Sequence, residues 1–450
     1  MADTVDVVVI GMGPGGEDIA SKLAVAGLDV VGVDERLLGG ECPYYGCVPS
    51  KMIIRAANSL AEGRRVSALA GDGSVSPDFA PVATRIRNEA TDNWDDRVAV
   101  ERFEGKGGRF VRGHARLGGQ GRVVVGDIEF VARRGIVLNT GTVPAVPPIP
   151  GLRESPYWTN RDILKVEKAP ESLIVLGGGA IGCELAQAFA RFGTRVTVLE
   201  GAKRLLPLEE PESSAVLAES FAEEGIAVHT GGAVQAVRHD GVFTCEFEGG
   251  EAAAQHLLVA VGRRTNLSDI GLDTVGLDPA SRFLDPDEQM RVADGVWAIG
   301  DITGKGAFTH MSMYQAAIAT RSILGEAGPW AEYHAVPRVT FTDPEVGSVG
   351  LTEAAAREQG LNVRVSATPV PNSTRGWIHK AGNAGVIKLV EDADRGVLVG
   401  ASSVGPWGGE VLAPLVVAVH AGVPTDRLRQ LIYAYPTFHR AIEAALAELR

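Results

Sequence analysis

The chain has 450 residues, 45% of them hydrophobic and 22% charged, and its 56 acidic against 43 basic residues leave a formal net charge of −13. That length implies about two to four domains, and the acid excess argues against a general nucleic-acid binder. The apolar stretch Val411 to Val423 is broken by Pro414 and His420 and is too short for a transmembrane segment. The opening MADTVDVVVIG has no basic run before its apolar part, and four cysteines in 450 residues are no disulfide framework. Together these features make a cytoplasmic protein the expectation. Glycine is abundant, 56 of 450, which predicts many positions where only glycine fits.

Val5 to Ile10 reads as a buried parallel strand. Gly11-x-Gly13-x-x-Gly16 follows and opens a helix through Leu23, and a second strand, Val30 to Val33, ends at Asp34. This is a βαβ unit with glycines at its first strand-to-helix turn. The pattern returns once, with a strand at Leu173 to Leu176, the turn Gly177-x-Gly179-x-x-Gly182, a helix at Cys183 to Phe192 and a strand at Val196 to Leu199 ending at Glu200. In both copies the acid stands 18 residues past the last glycine (34 − 16 and 200 − 182). Two copies imply two bound dinucleotides.

Between the copies, Arg109 to Leu138 shows short alternating runs, as in small antiparallel strands, and Thr140-Gly141 closes that part. Val143 to Gly151 holds four prolines and reads as a linker. After the second copy, Ala233 to Leu258 alternates again, Val296 to Asp301 reads as a strand ending on an acid, and His310 to Leu324 as a helix. From Arg338 onward an α+β domain is expected, with strands at 338–341, 386–390 and 397–401 and helices near 352–359, 410–421 and 437–449.

Residues 39 to 51 read Gly-Gly-Glu-Cys42-Pro-Tyr-Tyr-Gly-Cys47-Val-Pro-Ser-Lys51. On an ideal helix, five residues rise about 7.5 Å and turn by about 140°, whereas a disulfide wants Cα atoms within about 7 Å. A regular helix therefore forbids a bond between Cys42 and Cys47, and a distorted first turn permits one. Pro43, Gly46 and Pro49 supply reasons for distortion. A helix N-terminus would also activate a thiol. Two ordinary buried cysteines are the bland alternative, and they leave the clustered prolines and glycines unexplained.

With these residues in view, the chain resembles the FAD-dependent pyridine nucleotide–disulfide oxidoreductases, a family that includes lipoamide dehydrogenase, glutathione reductase and mercuric reductase. The resemblance covers essentially the whole chain. Its most specific motif is Gly39-Gly-x-Cys42-x-x-x-x-Gly-Cys47-Val-Pro-Ser-Lys51. The two glycine turns, Thr140-Gly141, Glu184, Gly262-Arg263-Arg-x-Asn266, Gly300-Asp301 and Phe341-Thr-Asp-Pro-Glu345-Val-Gly support it. It implies an α/β fold of two Rossmann-like dinucleotide-binding domains, for FAD and NAD, plus a C-terminal α+β dimerisation domain. The expected extents are 1–150 and 271–335 for FAD, 151–270 for NAD and 336–450 for the interface of a homodimer.

By the same resemblance, Gly11, Gly13, Gly16, Asp34 and Asp301 serve FAD, Gly177, Gly179, Gly182 and Glu200 serve the nicotinamide nucleotide, and Gly141 and Arg263 are further cofactor-binding residues. Cys47 is expected against the flavin as a charge-transfer thiolate and Cys42 as the interchange thiol. Lys51 and Glu184 resemble the ion pair beside the reactive flavin edge. Electrons would run from NADH through FAD to the cysteine pair and on to an acceptor. Glu200 favours NAD over NADP, because a carboxylate accepts ribose hydroxyls and repels a 2′-phosphate, although Lys203 and Arg204 stand close by.

The tail departs from the family pattern. Dithiol-processing members carry His-Pro there, with a glutamate five residues after the histidine, and this imidazole reaches across the dimer as acid and base. Here the stretch reads Tyr435-Pro436-Thr437-Phe438-His439-Arg440. A phenol with pKa near ~10 is a poor base at neutral pH, and an adjacent residue such as His439 is turned by about 100° on a helix. The acceptor therefore stays open among a small disulfide, a quinone and a metal ion. Tyr44 and Tyr45 could stack on a flat acceptor or merely pack. No metal ligand is expected, and a non-enzymatic flavin-binding redox sensor is a distant alternative.

Overall fold

The computed structural model describes residues 2–450. The chain divides into two compact units. One comprises residues 2–49, 84–144 and 263–333, and the other residues 50–83, 145–262 and 334–450.

The first unit is built on an eight-stranded sheet. Its central strand, Asp3–Ile10, is flanked in parallel by Val30–Asp34 and Ile128–Leu138, with Ile10 level with Val33 on one side and Leu138 on the other. The valine-rich centre fits, because a strand covered on both faces needs apolar side chains on both. Accordingly Val5, Val8 and Ile10 belong to one core cluster and Val7 and Val9 to another. Arg109–Arg112 and Val296–Ala298 extend the parallel pairing at the two sides. The small-strand reading of 109–138 holds only in part: Ala115–Leu117 and Arg122–Val125 are antiparallel, but Gly135 to Leu138 pairs parallel with the first strand.

In the second unit, Ser172–Leu176 lies between Arg195–Glu200 and His256–Val259 in a four-stranded parallel sheet. The alternating 233–258 stretch supplies an antiparallel three-stranded sheet, Val234–His239, Phe243–Phe247 and Gly250–Ala254. A separate five-stranded antiparallel sheet runs Pro337–Thr340, Glu345–Gly350, Val397–Gly405, Val386–Asp392, Val363–Pro369. Its apolar face packs with helices Ala413–His420 and Ala441–Ala447 through Leu389, Ala401, Leu415, Ile442 and Leu446.

Several expectations shift locally. Strands Glu345–Gly350 and Val363–Pro369 were not expected. The helix expected over 410–421 is divided into Gly408–Val411 and Ala413–His420, with Pro414 in the first turn of the latter, where its missing N–H is harmless. The strand expected to end at Asp301 stops at Ala298, and Asp301 lies in a 3₁₀ turn, Gly300–Thr303. Val143 and Pro144 of the expected linker belong to a short strand, Thr142–Pro144, paired with Arg263–Thr265. No helix among the described residues is long and apolar enough to cross a membrane.

Candidate active site

The two glycine turns share one set of constraints. Gly11 has φ +93°, and a Cβ there would stand 2.2 Å from the Asn139 carbonyl oxygen; Gly177 has φ +110°, with the same conflict at 2.4 Å from that of Ala260. Both positions demand glycine. Gly13 and Gly179 are the N-caps of helices Pro14–Val25 and Ala180–Arg191, neither with a side-chain cap. The first-turn amides, of which Pro14 supplies none, have no partner within the helix and form an anion-binding end. A Cβ on Gly179 would meet nothing within 4 Å, and one on Gly13 only Asn139 Nδ2 at 3.5 Å. This open space over a helix N-terminus fits a pyrophosphate.

Each strand-end acid is held by two backbone amides. Asp34 accepts from Met12 N (2.8 Å) and Arg36 N (2.8 Å). Glu200 accepts from Gly178 N (2.5 Å) and Ala202 N (2.6 Å). Both carboxylates are thus fixed beside their glycine turns, with lone pairs left for ribose hydroxyls. Burial pushes the Asp34 carboxyl up. The Arg204 guanidinium is taken by its own loop, donating to the carbonyls of Pro207 (3.0 Å) and Glu209 (2.9 Å).

In the first unit, Asp301 accepts from Thr142 Oγ1 (2.5 Å), which in turn accepts from Arg263 Nε (2.6 Å). Arg263 also pairs with Glu41, beside Cys42, at 3.3 Å. Arg263 therefore sits against Thr142 and Glu41, in the unit of the first glycine turn. The Thr142 link was not anticipated, nor was Asn139, whose Nδ2 donates to the Gly11 carbonyl (3.0 Å). A Cβ on Gly141 would meet nothing within 4 Å.

The two cysteines lie on different helices. Glu41–Tyr45 is one short helix and Cys47–Leu69 the next, and between them Gly46 has φ −141° and ψ −114°. The distortion that the spacing called for is present. Cys42 is half-buried and Cys47 exposed, whereas Cys183 and Cys245 are buried, and burial raises the pKa of both the latter thiols. Cys47 Sγ lies 3.5 Å from the hydroxyl of Thr309, the first residue of helix Thr309–Leu324. Negative charge on that sulfur would be stabilised by this helix end. Tyr44 is buried and its phenol is pushed up to about 12 by that burial, so its ring is part of the packing and not a surface for an acceptor.

Lys51, in the second turn of the helix that Cys47 opens, donates to Glu184 Oε2 at 2.7 Å. Glu184 is buried, and its other oxygen accepts from the Phe341 amide (2.9 Å). Two polar stripes converge on this loop. On one helix Glu184, Gln187 and Arg191 follow helical spacing: Gln187 exchanges two hydrogen bonds with the Asp343 backbone, and Arg191 reaches Asp343 Oδ2 at 2.8 Å. On the other, Lys51, Asn58 and Arg65 repeat every seven residues; Asn58 accepts from Arg191 (2.5 Å) and Arg65 reaches Asp343 (2.7 Å). Burial alone would raise the Asp343 carboxyl, but Arg191 and Arg65 outweigh it and hold the group below the ordinary carboxylate range. The seven-residue spacing of Lys51, Asn58 and Arg65 was a readable signal; the partner at Asp343 was not.

Tyr435 is 65% exposed, with the Arg440 guanidinium 5.2 Å from its ring centroid. Arg440 also pairs with Glu443 at 2.9 Å, and His439 Nε2 lies 3.3 Å from Thr437 Oγ1. The arginine at 440 is thus a stacking partner of the phenol.

Comparison with known proteins agrees with this geometry. The family model described as pyridine nucleotide-disulphide oxidoreductase matches residues 5–320, and that of the same family's dimerisation domain matches residues 336–446. The chain is 34% identical to a dihydrolipoyl dehydrogenase of Chlorobaculum tepidum over 99% of its own length and 97% of the relative's. It is 32% identical to a mercuric reductase of Streptomyces lividans, over 98% and 95%. The structure of the HOCl-induced flavoprotein disulfide reductase RclA from Escherichia coli superimposes with a TM-score of 0.85 at 27% identity, over 98% and 99%. The glycine turns and their fixed acids accommodate the dinucleotides this family uses, FAD and NAD(H). With two Rossmann-like folds, a dimerisation domain and relatives matched end to end, the chain belongs to the pyridine nucleotide-disulphide oxidoreductases and is an FAD-dependent oxidoreductase of that family.

Proposed function

We propose that the protein is an NADH-dependent disulfide oxidoreductase in which Cys42 and Cys47 form the redox-active pair and serve a small-molecule disulfide acceptor. The observation that carries this reading is the helix break at Gly46, which frees the two cysteines from the helical separation that would forbid their bond. FAD, when bound, supplies the two-electron relay between the nicotinamide and the cysteines. Asp34 and Asp301 hold the flavin nucleotide with the first glycine turn, and Glu200 holds the NAD ribose with the second. Lys51, oriented by Glu184, supplies positive charge where electrons arrive. Cys47 takes up negative charge beside the N-terminal end of helix Thr309–Leu324. Cys42 exchanges with the acceptor.

We take residues 1–150 and 271–335 as the FAD domain, 151–270 as the NAD domain and 336–450 as the surface of the homodimer, with Tyr435 of one protomer facing the partner's Cys42. With four cysteines in the chain and a pair that must cycle, a reducing cytoplasmic setting fits best. The exposed Tyr435 under Arg440 favours a second reading of the acceptor, a quinone or a metal ion, because it replaces a base with a hydrogen-bond donor. The test is NADH oxidation against disulfides, quinones and Hg²⁺, run with the unmodified protein and with Cys42→Ser. Disulfide turnover that Cys42→Ser abolishes supports the main reading; turnover confined to quinones and indifferent to Cys42→Ser contradicts it.

A further inference from the structure

Within the first unit, the segment from Ile86 to Asp96 is conformationally costly. Ile86–Ala90 is wound as a π-helix, and Asp92, Asn93 and Trp94 follow with φ of +46°, +56° and +57°. Three consecutive side-chain-bearing residues in the left-handed region persist only where their surroundings fix them, and both features concentrate at functional sites. Here the fixing is visible. The Asn93 amide donates to the Arg87 carbonyl (2.6 Å) and the Trp94 amide to Thr91 Oγ1 (3.3 Å). Buried Thr91 donates its hydroxyl to the Ile86 carbonyl (3.0 Å).

The strain aims one group. The Trp94 indole N–H donates to the Tyr44 backbone carbonyl at 3.2 Å. Tyr44 lies between the two cysteines, in the last turn of helix Glu41–Tyr45. The bend at Gly46 ends that helix and removes the amide of residue 48 that a continuous helix would offer this carbonyl. Two residues beyond Trp94, Asp96 accepts from the Leu38 amide (2.6 Å) and from Arg112, anchoring the chain just before Gly39. The strained segment thus grips the cysteine motif at its start and at its break.

We propose that Trp94 is a positioning residue that holds the helix break between Cys42 and Cys47 and so sets the thiol–disulfide equilibrium of that pair. The inference rests on the redox pairing proposed above. While the indole N–H is donated to it, the Tyr44 carbonyl is paired at the break. Without the indole, that carbonyl loses its donor, Pro49 keeps the chain from rewinding into a continuous helix, and the break is free to relax away from the geometry in which the two cysteines can bond. Loss of the indole N–H therefore favours the dithiol. Reduction breaks the S–S bond and leaves a thiol on Cys42 and a thiolate on Cys47; the two electrons and the one proton are those of the hydride of NADH.

The experiment uses the holoenzyme equilibrated in glutathione redox buffers, quenched with an alkylating agent, with modification at residues 42 and 47 read by peptide mass. Trp94→Phe keeps an aromatic ring and loses the donor. It is expected to shift the equilibrium toward dithiol by about two- to tenfold, the range for one hydrogen bond, or roughly 9–30 mV for a two-electron couple. Trp94→His places Nε2 the same number of bonds from Cβ and is expected to restore the wild-type equilibrium. NADH oxidation by ferricyanide, which draws on the flavin directly, should stay within about twofold in both variants. An unshifted Trp94→Phe, or Phe and His variants shifted alike, overturns the proposal. A wild-type protein whose two thiols do not disappear together on oxidation overturns the pairing itself, and the inference with it.

Discussion

Lys51 Nζ stands 2.7 Å from Glu184 Oε2, and the two side chains are 34% and 6% exposed. The buried partner is fixed by the Phe341 amide, and Lys51 also lies 4.7 Å from the centroid of the Phe341 ring. A cation so placed cannot swing freely into solvent. It is a preorganised charge, of the kind that stabilises negative charge as it develops.

The first prediction follows from that charge. Lys51→Met should slow flavin reduction by NADH by about 10–100-fold, the effect of removing one charged stabiliser. Stopped-flow bleaching of the flavin absorbance measures it. An unchanged rate would mean that the Lys51–Glu184 pair serves packing alone.

The second concerns Asp343. Its pKa is lowered in the fold, so its contribution to stability is complete above the unfolded-state value near ~3.9 and is lost as pH falls through the folded value. Asp343→Asn should cost about 1.5–3 kcal/mol near neutral pH, through weakened bonds to Arg191 and Arg65. The gap between wild type and variant should narrow as pH drops below about 4. Urea unfolding at pH 7, 5 and 3.5 measures this, and a gap that stays constant contradicts the assignment.

The repeated architecture was legible because each βαβ unit is local: glycines, apolar strands and an acid 18 residues on (34 − 16; 200 − 182) lie within one short stretch. The departure from helical geometry at Gly46 was legible for the same reason. Strands Glu345–Gly350 and Val363–Pro369 were not, since glycines and a terminal proline interrupt their patterns and neighbouring strands supply the pairing. The loop at Phe341–Asp343 carried a recognisable motif, yet its purpose rests on partners at 65, 184, 187 and 191. The role of Trp94 was not legible, because neither its left-handed backbone nor its reach to Tyr44 has a local signature.

Glu200 gives a third prediction. With both oxygens held by amides, the carboxylate cannot turn away from a 2′-phosphate, and Arg204 is occupied by its own loop. NADH should be preferred over NADPH by at least about tenfold in kcat/KM, about 1.4 kcal/mol of discrimination. Glu200→Ala should narrow that ratio. Equal use of both nucleotides by the unmodified protein would point to Lys203 as the dominant group.

The tail gives a fourth. Dihydrolipoamide oxidation should be slow near pH 7, because Tyr435 offers little phenolate there. The double variant Tyr435→His with Arg440→Glu should raise the rate more than Tyr435→His alone, since a carboxylate orients the imidazole. Initial rates of NADH formation decide this, and fast turnover by the unmodified protein would show that the departure at 435 does not limit the chemistry.

The most direct measurement is anaerobic reduction of the FAD-loaded protein with limiting dithiothreitol, followed by absorbance beyond 500 nm alongside Cys42→Ser and Cys47→Ser, in the long-wavelength region where a thiolate–flavin charge-transfer band would appear. The account predicts a band on two-electron reduction of the wild type, the same band without reduction in Cys42→Ser, and none in Cys47→Ser. No band in the wild type, or a band that survives Cys47→Ser, would contradict the claim that Cys47 is the sulfur that meets the flavin and Cys42 its redox partner.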